Sequence, residues 1–365
     1  MLTDCAPKFA SYFDCVLQIL YGSVAKYNVP NGKQVRGRLC VASAKYFLNG
    51  EISKDVLKSI NLVGWAIEFM QAGFLIHDDL IDDSPMRRGK PSWGLSQQKE
   101  GRGLIGINDG LHLYMSVQQI LMSALTNPQH SRCIEVIKLF GDCANATCFG
   151  QGLDILGDIG LNSSISNAVS EAKLSETHQD RLKNITLDRF ALISRWKTAH
   201  YSFVLPVLAG MLLADVKNEA LFSNAKSILF EIGEYFQAQD DYLDVYGDTS
   251  VTGKVGMDIS DGKCSWIIAT ALEKASTDQR NILNSNYGIP DPGCVEAVRK
   301  VFDELDIPAI YSAYEDRTRV RILEMIDSMC TEETKDKGYF SNPDASKLPK
   351  KFFVELLNLF YRRAK

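Results

Sequence analysis

The chain has 365 residues, 45% hydrophobic and 23% charged, with 40 Lys plus Arg against 45 Asp plus Glu and a net charge of -5. This is the composition of an ordinary globular protein with enough apolar material for a large core. It excludes an electrostatic case for nucleic-acid binding or a polybasic membrane anchor.

The opening MLTDCAPKFASYFDC has neither the basic-then-apolar layout of a secretory signal nor the Arg-rich character of an organellar presequence. Nine cysteines at scattered spacings form no C-x-x-C pair, and an odd number cannot all pair within the chain, so a cytoplasmic, reducing setting is expected. Apolar residues recur at three- and four-residue intervals over Trp65 to Leu80, Leu192 to Leu213 and Ile228 to Tyr246, while strand-like alternation is scarce. The spacing predicts an all-α protein. Gly157 to Asp180 is Ser- and Asn-rich with weak periodicity and reads as a surface-loop insertion, 157–180, carrying no chemistry. The longest apolar run, Phe203 to Ala214, is shorter than the ~20 residues of a spanning helix and contains Pro206, so a buried core helix is expected and stable membrane insertion is not. A second loose stretch, Thr331 to Leu348, precedes an amphipathic final helix ending in FYRRAK. Helical, core-forming sequence resumes after each loose stretch, so neither reads as a domain linker.

The pattern Asp-Asp-x-x-Asp occurs twice, at Asp78, Asp79, Asp82 and at Asp240, Asp241, Asp244. Two such sets arise by chance on the order of once in a few hundred chains of this length. Residues four apart on a helix lie about 6 Å apart along the axis and about 40° apart around it, so Asp78 projects beside Asp82 and Asp240 beside Asp244. Met70 and Phe74 fall in the first column, Ile232 and Phe236 in the second, which puts rings below carboxylates. Carboxylates are hard ligands, and Mg²⁺ commonly joins one or two of them to phosphate oxygens. For one motif alone, a solvated acidic helix end is an equal alternative. The flanks shift the balance: Met86-Arg87-Arg88-Gly89-Lys90 follows the first motif, and Gly253-Lys254, Asp258 and Lys263 follow the second. Arg grips phosphate with a planar fork and Lys as a mobile point charge.

The segments Glu68–Gly89, EFMQAGFLIHDDLIDDSPMRRG, and Gly233–Trp266, GEYFQAQDDYLDVYGDTSVTGKVGMDISDGKCSW, resemble the two signature regions of the trans-isoprenyl diphosphate synthase family, in its farnesyl diphosphate branch. The resemblance extends through Gly32-Lys33-x-x-Arg36, Ile107-Asn108-Asp109, Gly150-Gln151-Gly152-Leu153-Asp154, Lys197-Thr198 and the basic terminus, nearly the whole chain apart from the insertion. It implies a single domain over 1–365, one large helical bundle around a deep central cavity, paired as a homodimer. It also implies condensation of an allylic diphosphate with isopentenyl diphosphate by ionisation, condensation and proton loss. By the same resemblance Asp78, Asp82, Asp240 and Asp244 bind Mg²⁺, about three ions to a site, with Asp79 and Asp241 supporting and Asp258 reached through water. Arg87, Lys197, Lys254 and Lys263 would hold the allylic diphosphate. Lys33, Arg36, Gln71 and Arg88 would hold isopentenyl diphosphate, with Arg363 closing over it. Thr198, Tyr201 and Gln237, with the Lys197 carbonyl, would turn dipoles toward the carbocation; taken alone they serve equally well as packing or backbone-bonding residues.

The resembling enzymes commonly carry adjacent aromatics four and five residues before the first Asp, where this chain has Phe74 and Gly73. Phe74, one turn below Asp78, is expected to floor the cavity, and the ring missing at Gly73 to deepen it toward geranylgeranyl or mixed products. A neighbouring side chain filling the gap is the alternative. A terpene cyclase or irregular coupling enzyme shares the ionisation chemistry, but the second motif and the Lys33/Arg36 pair argue for a separate isopentenyl diphosphate site. A phosphohydrolase centred on His77-Asp78 lacks further metal-ligand spacing among the five His. A non-catalytic synthase subunit need not keep both acidic sets.

Overall fold

The computed structural model describes residues 9–14, 22–48, 52–126, 132–157, 182–248, 256–331 and 347–362. In chain order the helices begin with α1 (Ser23–Asn28), α2 (Val35–Phe47), α3 (Lys54–Ile81), α4 (Trp93–Lys99), α5 (Ile105–Leu125), α6 (Cys133–Gly157) and α7 (Leu187–Ile193). A π-helical stretch, Ser194–Val204, leads into α8 (Leu205–Leu213) and α9 (Glu219–Tyr246). There follow α10 (Asp258–Asp261), α11 (Trp266–Lys274), α12 (Thr277–Asn286), α13 (Pro292–Glu304), α14 (Ile307–Met329) and α15 (Lys350–Phe360). Among the described residues the only strands are four of two residues each: β1 (Met86–Arg87) pairs antiparallel with β2 (Lys90–Pro91), and β3 (Cys330–Thr331) pairs parallel with β4 (Leu348–Pro349). The expected all-α class is what the chain adopts. The expected insertion beyond Gly157, most of the stretch 331–348, Lys254 and Arg363 lie outside the described residues.

The chain forms two compact units. The first comprises Met1–Ala144, His200–Phe230 and Leu323–Leu359. Its central element is α3, which starts at Ser53, whose hydroxyl accepts from the Val56 N–H, and ends at Asp82, whose N–H donates to the Asp78 carbonyl at 2.9 Å. Every residue from Ser59 to Gly73 is buried, so this helix is covered on all sides. By length and composition α3 passes for a membrane span, yet 89% of its apolar window is buried inside the protein. The Trp65 indole stacks on Phe9 at 4.6 Å and donates to the Phe9 carbonyl at 3.0 Å. Helices α2 and α8 are joined where the Ser43 hydroxyl donates to the Val207 carbonyl at 2.8 Å.

Gly73 lets α3 and α5 cross closely. A Cβ placed on Gly73 would lie 2.8 Å from the Gly110 carbonyl oxygen and 3.4 Å from the Tyr114 N, so the α5 backbone occupies the room a side chain would take. The gap read from the sequence at Gly73 is therefore closed by a helix, because a residue without Cβ lets two helix backbones approach instead of leaving a void.

The second unit comprises Asn145–Ala199, Glu231–Ile322 and Phe360–Lys365. Thr186 caps α7 by accepting from the Arg189 N–H at 3.1 Å, and Ser276 with Gln279 forms a reciprocal capping box on α12. Tyr242 stacks on Tyr311 at 4.0 Å, and the buried Glu315 carboxylate accepts from Tyr235 at 2.5 Å. Gln239 donates to that carboxylate and to the Phe360 carbonyl, 3.2 and 3.0 Å away.

The periodic segment Leu192 to Leu213 is not one helix. Pro206 has no N–H to donate to a carbonyl one turn earlier, and its ring crowds that carbonyl, so the ladder ahead of it widens into π turns before α8 begins. The run Phe203 to Ala214 is, as expected, core: Leu205 to Leu213 are all buried.

Gly73→Phe should destabilise the protein by about 1–3 kcal/mol, because the ring has to push α5 away. Thermal denaturation checks this, and an unchanged Tm would show that the crossing is not tight there.

Candidate active site

In the first unit the first acidic motif occupies the last turn of α3. Asp79 is buried, 5% exposed, and the Arg87 guanidinium grips it through Nε at 2.8 Å and again through Nη2. The same Nη2 reaches Asp78 Oδ2 at 3.2 Å. Burial pushes the Asp79 carboxyl up to about 6 against the opposing pull of Arg87. Asp78 and Asp82 are half-buried, and Asp82 closes the helix.

Arg87 reaches that position because β1 and β2 form a hairpin. Arg88 at φ 54° and Gly89 at φ 73° are its two central residues, the positive-φ pair a two-residue turn of type I′ requires. The turn sends the twin arginines to different partners. Arg87 joins the carboxylates, while Arg88 Nη1 donates to the Asn28 carbonyl at 3.0 Å. Burial presses the Arg88 guanidinium below its usual value, with the Glu68 charge opposing it.

Arg36, on the first turn of α2, donates to the Ser202 hydroxyl from Nε at 2.9 Å and from Nη2 at 2.7 Å, and to the Tyr201 hydroxyl at 3.1 Å. With the Gln71 amide oriented by its neighbours, its oxygen accepts from Arg36 Nη1 at 2.8 Å and its nitrogen donates to Glu68 Oε2 at 3.2 Å. Glu68 Oε1 accepts from the Gly37 N–H at 2.8 Å. Arg36 thus joins the buried Gln71 and Glu68 in one hydrogen-bonded set. Lys33 is exposed just ahead of α2, and its carbonyl accepts from Arg38 at 3.1 Å. Phe74 is half-buried, 6.0 Å from the Tyr114 ring and 5.8 Å from the Tyr201 ring.

In the second unit the other motif lies near the end of α9. Asp241 is 6% exposed and accepts from the Trp266 N–H and from Gln237 Nε2, both at 2.8 Å. Burial pushes its carboxyl upward against those two bonds. Asp240 and Asp244 are half-buried, and Asp244 Oδ2 accepts from the Asp258 N–H at 3.0 Å, which ties α10 to the motif. Gln237 in turn accepts from the Thr198 hydroxyl at 2.6 Å. Lys197 Nζ donates to Asp154 Oδ2 at 2.5 Å, and the buried Lys263 ammonium lies 3.9 Å from the same oxygen.

The two motifs use their middle residue alike. Each middle Asp is buried and bonded to the scaffold, and the outer pair shares a helix face one turn apart. Among the described residues no three His, Cys, Asp or Glu side chains converge tightly enough to hold a metal ion by themselves. Pairs of half-buried carboxylates fit Mg²⁺, which takes one or two protein oxygens and completes its octahedron with phosphate and water.

Sequence reasoning assigned no role to Asp154, Glu68 or Ser202. Glu68 was detectable as an acidic residue inside an otherwise apolar helix, three positions before Gln71. Asp154 lay in the Gly150–Asp154 motif without an assigned partner.

The fold is all-α, with one pair of half-buried carboxylates on α9 and another at the end of α3. The polyprenyl synthetase family model matches residues 18–305. The farnesyl pyrophosphate synthase of Gallus gallus is 37% identical over 94% of this chain and 83% of its own length, and that of Murgantia histrionica is 34% identical over 95% and 76%. A solved T. brucei farnesyl diphosphate synthase complexed with bisphosphonate superposes with a TM-score of 0.81 at 27% identity, covering 100% of both chains. The chain belongs to the polyprenyl synthetase family.

Burial raises the Glu68 carboxyl above its usual 4.5, against the Gly37 bond and the Arg36 charge. Between 4.5 and that raised value the folded chain holds a proton the unfolded chain has lost, so this stabilisation is complete below 4.5 and disappears as the pH climbs. The Tm of the wild type minus that of Glu68→Gln should therefore fall between pH 4.5 and 7 in thermal melts. A pH-independent difference would mean that Glu68 titrates alike in both states.

Proposed function

We propose that the chain condenses isopentenyl diphosphate with dimethylallyl and then geranyl diphosphate to give farnesyl diphosphate. The observation that carries this reading is the shared design of the two acidic motifs: the middle carboxylate is committed to the scaffold, and the outer two remain positioned as a pair. Family membership supplies the reaction class.

The residues divide by task. Asp78 with Asp82, and Asp240 with Asp244, would hold Mg²⁺, and Asp258 supports Asp244 through its backbone. Bound Mg²⁺ stabilises the charge that gathers on the departing diphosphate as its carbon–oxygen bond breaks. Arg87, Lys197, Lys254 and Lys263 add fixed positive charge to the allylic diphosphate. Lys33, Arg36, Gln71 and Arg88 position isopentenyl diphosphate, with Arg363, so that its double bond attacks the allylic carbon; that substrate does not ionise and needs orientation only. Thr198, Tyr201 and Gln237 face oxygen dipoles toward the cation, and the released diphosphate accepts the proton lost at the end. Phe74, with Tyr114 and Tyr201 around it, sets the depth available to the growing chain, and the close α3–α5 crossing at Gly73 supports a farnesyl product.

We treat 1–365 as one catalytic domain with 157–180 as a surface insertion, since the family match runs over 18–305. A homodimer is supported by the exposed apolar residues Ile107, Leu111 and Met115 along α5, with Leu104 just ahead of it. The nine cysteines, an odd number at scattered spacings, support a cytoplasmic location.

Purified protein supplied with Mg²⁺, isopentenyl diphosphate and geranyl diphosphate should yield farnesyl and then little longer product on chromatography, and chelation should abolish turnover. Asp78→Ala and Asp240→Ala should each lower kcat by about 100-fold or more. Normal activity in either variant removes that motif from the mechanism. In sedimentation, Leu111→Asp should convert a dimer to monomer; an unchanged assembly rules out the α5 face.

A further inference from the structure

Within the second unit, the Trp196 and Lys197 backbone lies against α6 at one point with no tolerance. A Cβ placed on Gly150 would lie 2.1 Å from Lys197 N, 2.4 Å from Trp196 C and 2.5 Å from Lys197 Cα. All three are backbone atoms, so no flexible side-chain end is available to give way. At Gly152, two residues along the same helix, nothing lies within 4 Å. The Phe149 ring meets the Trp196 ring edge-on at 5.3 Å beside this contact.

One turn beyond Gly150 on the same face of α6 stands Asp154. It holds the Lys197 ammonium at 2.5 Å and lies 3.9 Å from that of Lys263. Thr198 follows directly and bonds Gln237 at 2.6 Å, which bonds Asp241 at 2.8 Å. A π turn carries more residues per turn than an α turn and bulges further from its axis. Residues 196–198 belong to that wider stretch, and the bulge needs a neighbour without a side chain.

Resting on the prenyl-transfer reading above, we propose that Gly150 and Asp154 form a seat that positions the π-helical backbone and thereby Lys197 and Thr198. Gly150 sets how closely the backbone approaches, and Asp154 sets the direction of the Lys197 side chain. Neither touches substrate. Both are positioning residues, acting through Lys197 and Thr198 on the allylic half of the reaction.

The test compares Gly150→Ala with Gly152→Ala, which makes the same change of residue on the same helix where there is space. Kinetics are measured with Mg²⁺ and each diphosphate varied in turn. Gly150→Ala should lose about 100-fold in kcat, the scale of a misplacement near 1 Å. Its KM for the allylic diphosphate should rise more than its KM for isopentenyl diphosphate, while its far-ultraviolet circular dichroism stays at the wild-type value. Gly152→Ala should behave as wild type. Wild-type kcat in Gly150→Ala, or an equal loss in both variants, overturns the seat. Should Gly150→Ala fail to fold, Asp154→Asn decides: it leaves the Gly150 contact intact and should still lower kcat about 10-fold and raise KM for the allylic diphosphate more than that for isopentenyl diphosphate, and wild-type kinetics there overturn the proposal. The near-ultraviolet circular dichroism of Trp196, obtained by difference from Trp196→Phe, reads the seat without any activity. If wild-type protein condenses nothing, the prenyl-transfer reading fails while this signal, altered by Gly150→Ala and not by Gly152→Ala, still reports the seat.

Discussion

A helix that ends in adjacent carboxylates repels itself unless something commits one of them. Here the committed residue is the middle Asp of each motif, Asp79 under the Arg87 fork and Asp241 under the Trp266 N–H and Gln237. Burying a carboxylate is costly unless it is paired or hydrogen-bonded, and both are. Once the middle residue is anchored, the backbone on either side has no freedom left to move the outer pair. The positions of Asp78 and Asp82, and of Asp240 and Asp244, follow from that anchoring.

The two anchors differ in kind. Arg87 is delivered by a two-residue turn, and its guanidinium spans Asp79 and Asp78 together. The first anchor is thus an ion pair between side chains. Asp241 is held by a backbone N–H and by an amide that is itself tied to Thr198. That anchor uses the first N–H of α11, which the helix itself leaves without a carbonyl partner, and an uncharged amide. One motif is therefore anchored by a charge and the other by neutral donors, although their sequences are the same pattern.

The helical class, the two acidic motifs and their i,i+4 pairing were legible because period and charge are local properties of the sequence. Three features were not. The twin arginines read as one cationic cluster, but the positive-φ turn at Arg88 and Gly89 sends them to different partners, and a hairpin of two-residue strands leaves almost no alternation to detect. The missing ring at Gly73 read as space, because sequence records the side chain removed and not the α5 backbone that moves in. The segment around Lys197 read as a regular helix, since one Pro past its end was the only sign of π turns.

These misses share a cause. Gly73 and Gly150 are read from sequence as absences, yet in the fold each is the point of closest backbone approach, to Gly110 and to Lys197 respectively. Close approach fixes a helix more tightly than side-chain packing does, because backbone atoms cannot change rotamer to relieve a clash. Asp and Lys residues mark where charge resides, while these glycines determine the distance at which it is held. The chemistry of such a site is thus written in its charged residues, and its geometry in the smallest ones.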